Sequence, residues 1–175
     1  MTQALARSIF AGVALVLSFG AYAADKKSDS GKASKSDASF MKDAANDSAA
    51  EIELGKLVPQ KSQNADVKAF SQRMVDDHTK ASQELEPIAS KMGVDLPKAP
   101  TGSHAKMIKE LAKKDKNFDH EYAEAMVKDH EKAVKLFEKT SKKGDSEEVR
   151  QFAAKTLPTL QEHLKMAKDL KKNLK

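Results

Sequence analysis

Imidazole can bind a transition metal, carry a proton or close a buried hydrogen bond. This chain of 175 residues has five histidines and sets three of them where those uses compete. His78 lies in the series Val67, Phe70, Met74, His78, Ala81, Leu85, Ile88, Met92. His130 lies in Phe118, Tyr122, Met126, His130, Ala133, Phe137, Thr140, and His163 in Val149, Ala153, Thr156, Leu160, His163, Ala167, Leu170, Leu174. Steps of three and four residues put each series on one helix face, so the three rings take core positions. A fourth series, Phe40, Ala44, Asp47, Glu51, Leu54, Val58, puts a carboxylate on or beside the inner face; periodicity alone does not choose between Glu51 and Ile52. Glu51, His78 and His130 fall near mid-helix and His163 about four residues, or about 6 Å, beyond it, so a bundle could gather the carboxylate and two or three of the imidazoles at mid-height.

Two chemistries fit that set. One is a single transition-metal ion held by Glu51, His78, His130 and His163, with Tyr122 behind the ligands. Copper or zinc suits such donors, and the nearby Met74, Met126 and Met166 lean toward copper. The other is structural, each imidazole being satisfied by a buried partner such as Glu51, Tyr122 or Thr156, with the methionines as core filler. A di-iron oxidase centre does not fit. It needs Glu-x-x-His turns, whereas the chain has the adjacent pairs Asp77-His78, Asp129-His130 and Glu162-His163, whose members point about 100° apart. His104 is expected exposed and His120 off the stripe. No catalytic set is found: the chain lacks cysteine, a phosphate-binding glycine loop and a nucleophile arrangement.

The elements that must carry these residues are all helical. Helices are expected over 38–61, 65–92, 103–114 and 117–143, and from 146 nearly to the C-terminus, with Asp37 or Ser39 capping the first and Asn64 the second. Gly93 and Gly144 are stops, Pro59 is placed to end the first helix early, and Pro158 is expected to kink the last. The fold class is all-α: a ferritin-like four-helix bundle with one long crossover carrying a short extra helix. "RMVDDHTKASQEL" (73–85) is echoed by "AMVKDHEKAVKLF" (125–137), which suggests an ancient duplication of a helical hairpin.

The N-terminus reads differently. Arg7, the apolar run "IFAGVALVLSFG" and "AYA" form an export signal over residues 1–23, too short to span a membrane comfortably. Residues 24–37, "ADKKSDSGKASKSD", lack any large aliphatic and read as a disordered tether before a domain over 38–173. Formal charge is +5, from 31 basic and 26 acidic residues, and +4 without Arg7. With both signs interspersed, no nucleic-acid partner is expected, and no transmembrane span follows signal removal. Mixed-charge outer faces suggest a monomer.

The segments "AAEIELGKL" (49–57), "VKAFSQRMVDDHTKA" (67–81), "FDHEYAEAMVKDHEKAVKLFEK" (118–139) and "FAAKTLPTLQEHLKMAKDL" (152–170) together resemble the exported bacterial proteins grouped as domain of unknown function 4142. Some of these are labelled outer-membrane proteins. The resemblance implies a ferritin-like helical bundle, with Glu51, His78, Tyr122, His130 and His163 at its characteristic polar positions. It implies no activity. A barrel needs alternating strands, which this chain lacks, so periplasmic placement with at most peripheral envelope contact is expected. The function expected is a non-enzymatic envelope or stress-related binding module, the alternative being metal binding or sequestration at the core histidines.

Overall fold

The computed structural model describes residues 31–174. The expected signal segment 1–23 and residues 24–30 of the expected tether lie outside the described residues. Five helices follow one another: α1 Lys35–Lys61, α2 Ala65–Lys91, α3 Gly102–Ala112, α4 Phe118–Lys143 and α5 Glu147–Asn173. No strand occurs among the described residues.

Capping chemistry sets most of the boundaries. Asn64 Oδ1 accepts from the amides of Asp66 and Val67 and opens α2. Gly93, in the left-handed region at φ 66°, follows the C-cap Met92. The start of α1 departs from expectation. Ser34 is its N-cap, its hydroxyl accepting from the Asp37 amide at 3.1 Å, so Lys35–Asp37 belong to the helix and not to a tether. Asp37, 1% exposed, instead reaches the opposite hairpin and accepts from the amides of Asp145 at 3.1 Å and Ser146 at 2.7 Å. It thus satisfies the start of α5, where the Ser146 side chain makes no cap bond. α4 starts at Phe118, because Asn117 is left-handed at φ 59°. α3 spans Gly102–Ala112, shorter at its end than the expected 114.

Pro59 does not end α1, which runs on to Lys61, and Pro87 and Pro158 also lie inside their helices. All three proline rings are exposed, so none of them enters the packed core.

Ser62–Asn64 alone joins α1 to α2, and Gly144–Ser146 joins α4 to α5, which makes each pair an antiparallel hairpin. The hairpins meet along α2–α5 and α1–α4, and α3 lies over the α1–α4 side. Gly55 allows α1 to approach α2 closely: a Cβ there would sit 2.5 Å from Val75 Cγ2 and 2.9 Å from the Ser71 carbonyl oxygen.

Two apolar clusters give the direction of each helix. One joins Phe40 and Met41 of early α1 to Leu85, Ala89 and Met92 at the end of α2, Phe137 of late α4 and Val149 and Phe152 of early α5. The other joins Leu54 and Val58 of late α1 to Val67 and Phe70, to Phe118 and Tyr122, and to Ala167 and Leu170. α1 is therefore parallel to α5, and α2 to α4, and the chain between α2 and α4 must run the length of the core. The histidine echo joins α2 and α4, the second helix of one hairpin and the first of the other. It therefore does not follow a hairpin-for-hairpin duplication.

Candidate functional site

Between the two apolar clusters lies a polar layer. His78, His130 and His163 are 6%, 1% and 1% exposed. Their ring centroids are 5.8 Å apart for His78–His130, 5.5 Å for His78–His163 and 5.3 Å for His130–His163. The stripes predicted this convergence, because each ring replaces an aliphatic side chain on the face its helix turns inward.

Proton placement follows from the partners. His130 Nδ1 lies 2.9 Å from the Met126 carbonyl oxygen, which can only accept, so Nδ1 carries the proton and Nε2 is bare. His163 Nε2 donates to Asp77 Oδ2 at 2.9 Å. Burial opposes ionisation of Asp77, but hydrogen bonds from Arg73 and His163 hold its carboxyl below the usual range, so it too only accepts. In the neutral ring His163 Nδ1 is then bare, and it faces the bare His130 Nε2 at 3.3 Å. His78 Nδ1 lies 3.3 Å from Ser48 Oγ, and its Nε2 is buried with no partner among the described residues. One nitrogen from each ring lies within 4.8 Å of the other two. Metal–nitrogen bonds of 2.0–2.1 Å would place ligand nitrogens about 3.4 Å apart, so the set would close on an ion by contracting about 1.4 Å at most.

The electrostatics agree with neutral, ligand-ready rings. Burial, and then the neighbouring His130 and His163, push His78 well below its ordinary value. Burial and His163 push His130 to about 4, against a partial opposing effect of the Met126 carbonyl. Burial also lowers His163, over the opposing pull of Asp77. Three outer anchors, a carbonyl, a carboxylate and a hydroxyl, orient rings in the way metal sites do.

Glu51 is inward, 4% exposed, whereas Ile52 is half-buried on the flank, which settles what periodicity left open. Its Oε1 lies 3.8 Å from His130 Nδ1, the outer nitrogen that already binds Met126, and Glu51 is not one of the three converging donors. Burial, reinforced by Asp129 and Asp47, raises its carboxyl well above the ordinary value, and its Oε2 has no partner among the described residues. Tyr122 is fully buried; it stacks on Phe118 and meets Phe70 edge-on, and its hydroxyl has no partner among the described residues. Burial and the Glu51 charge raise that phenol well above its ordinary value. Met74 and Met126 are fully buried members of an apolar cluster, and Met166 packs against it.

Sequence reasoning missed how the adjacent acids are used. Each acid beside a core histidine serves a different helix: Asp77 of α2 holds His163 of α5, and Glu162 of α5 pairs with Arg73 of α2. Asp129 Oδ2 lies 3.7 Å from His104 Nε2, and Asp47 Oδ1 lies 3.4 Å from the same atom. His104 is therefore not exposed as expected but half-buried, tying α3 to α1 and α4. The Asn46 amide donates to His104 Nδ1 at 2.8 Å, its own oxygen being committed to Thr101 N and Oγ1. That leaves the His104 proton on Nε2, pointing at the carboxylates, the opposite of what a metal ligand needs. Burial, opposed by His104 and aided by the Asp129 and Asp43 charges, raises Asp47 to about 6.

None of the curated proteins matches the chain. Among solved structures it is similar to a DUF305 fragment from Deinococcus radiodurans, with a TM-score of 0.70 and 14% identity over 82% of this chain and 99% of that one. At that identity the likeness is one of fold alone. The family model described as domain of unknown function DUF4142 matches residues 23–170, and the chain belongs to that family.

Proposed function

We propose that this chain is an exported, periplasmic protein with a ferritin-like four-helix bundle, and that it binds one transition-metal ion, copper or zinc, through His78, His130 and His163. The observation that carries the reading is the convergence of three buried imidazole nitrogens within 4.8 Å of one another. Two of them, on His130 and His163, face each other as lone pairs at 3.3 Å. A purely structural set would pair each buried nitrogen with a donor, and His78 Nε2 has none among the described residues. A shared cation satisfies all three nitrogens at once. Glu51 stands behind His130, where a carboxylate can offset the charge of the ion, and Tyr122 lies within electrostatic reach of Glu51.

Binding without turnover fits this site better than catalysis. The large groove of about 870 Å³ beside α1 and α2 is lined by residues such as Ile52, Thr79 and Leu96 and by none of the three rings. Sequestration in the envelope, as a monomer, is the role proposed.

Calorimetric titration of the chain with Cu⁺ and with Zn²⁺ tests this. One ion per chain is expected, lost in His130→Ala and kept in His104→Ala. No saturable binding above background would leave the histidines as structural members of a non-enzymatic envelope module, each held by the anchor it already has.

A further inference from the structure

Most ways into the histidine layer are closed. Apolar clusters fill the core on either side along the helix axes. α3 covers the α1–α4 side. Within the hairpins, α1–α2 and α4–α5 pack closely, and neither His78 nor Ser48 lines the groove beside α1–α2. The outer nitrogen of His130 ends on a backbone carbonyl, and that of His78 on the 8%-exposed Ser48.

The α2–α5 seam differs. A hydrogen-bonded path runs from His163 Nε2 to Asp77 Oδ2 at 2.9 Å, from Asp77 to Arg73 Nε, and from Arg73 Nη2 to Glu162 Oε2 at 3.2 Å. Side-chain exposure rises along it, from 1% at His163 to 25% at Asp77, 42% at Arg73 and 55% at Glu162. One guanidinium thus bridges two carboxylates from facing helices, the place a captured cation would take. A hydrated ion needs anionic oxygens to shed its water, and Asp77 is the carboxylate already bonded to a ring of the layer.

We propose that the α2–α5 seam is the port by which the metal ion reaches and leaves the histidines. Asp77 and Glu162 capture the incoming cation, and Arg73 is the latch it displaces; His163, freed from Asp77, then turns to hand the ion inward. The inference rests on the metal-binding reading.

Stopped-flow loading of the full chain with Cu⁺ and with Zn²⁺ from chromophoric chelators, and release into excess chelator, tests the port. Arg73 is substantially exposed, so its substitution spares the core, and circular dichroism checks the fold. Arg73→Ala is expected to speed both loading and release about fivefold or more, leaving Kd within about twofold, and Arg73→Lys to behave as wild type. Glu86→Gln, in the α1–α2 groove, is expected to change neither rate. Arg73→Ala with unchanged or slower rates overturns the latch, as does a changed Kd with no gain in rate. An effect of Glu86→Gln on loading without one of Arg73→Ala moves the port to the groove and overturns the seam. Failure of wild type to take up either ion overturns the metal reading and the port together, whereas uptake with unaltered Arg73→Ala rates overturns the port alone.

Discussion

Acidifying the metal-free protein should weaken it through the histidine layer before general acid unfolding sets in. Burial and His163 hold His130 at about 4 in the folded chain, against an ordinary 6.5 once unfolded. Between those values the unfolded chain binds a proton that the folded chain refuses, so stability rises with pH in that window. The contribution is intact above pH 6.5 and is lost as pH falls toward about 4. Two and a half units at 1.36 kcal/mol each make the loss about 3 kcal/mol for His130 alone. His78 and His163, also lowered, act in the same direction. Glu51 acts oppositely: with a raised carboxyl, its contribution is complete below its ordinary 4.5 and is lost as pH rises through its folded value. Glu51→Gln removes that opposing contribution. Against a typical domain stability of 5–15 kcal/mol, a loss of about 3 kcal/mol is easily read. Urea midpoints followed by circular dichroism in chelator-treated buffer, at steps from pH 7 to pH 4.5, give the slope. His130→Ala should start about 1–3 kcal/mol lower at neutral pH, from the void and the freed Met126 carbonyl, and then fall less steeply. Equal slopes in wild type and His130→Ala would refute the reasoning.

Asp37→Ala should cost about 2–3 kcal/mol, because it strips the Asp145 and Ser146 amides of their buried acceptor, while Ser146→Ala should be near neutral; urea midpoints of the pair check both. Gly55→Ala should cost about 1–3 kcal/mol by driving a methyl against the Ser71 carbonyl, a backbone atom that cannot rotate away, and thermal unfolding reads it.

Which helices form, and which faces they turn inward, was legible because periodicity is local information. Each histidine stripe is an uninterrupted series on its own helix, so burial of His78, His130 and His163 needed no knowledge of the partner helices. What each ring bonds to was not legible. Asp77 is adjacent to His78 in sequence yet serves His163 on another helix. Asp37 looked like an N-cap for its own helix, and its real partners stand at 145 and 146. Ser34 is the cap, and the Ser34-x-x-Asp37 spacing was the local signal for it that the polar composition of the segment masked. His104 seemed exposed because a short helix alone gives no hint of the acids it will be laid against.

The repeated Asp-His turn shows how far a local echo carries. Asp77-His78 and Asp129-His130 occupy parallel, diagonally opposed helices and deliver both rings to the same layer. Their acids have different tasks: Asp77 fixes a core ring at the open α2–α5 seam, and Asp129 faces His104 under α3 on the covered side. A core that needed only stability would fill this layer with aliphatic side chains, since buried polar groups without partners cost free energy. Here the layer holds three imidazoles, a carboxyl and, just beyond it, a phenol; Glu51, His78 and Tyr122 each keep a polar atom with no partner among the described residues, and His130 and His163 face each other with bare nitrogens. The apolar clusters on both sides supply the stability, and the layer between them is free to be shaped for a ligand. One side of that layer is sealed by α3 and the other closed only by side chains. That asymmetry is what the proposed port requires, because a site that exchanges an ion without unfolding needs one side that side chains alone can open.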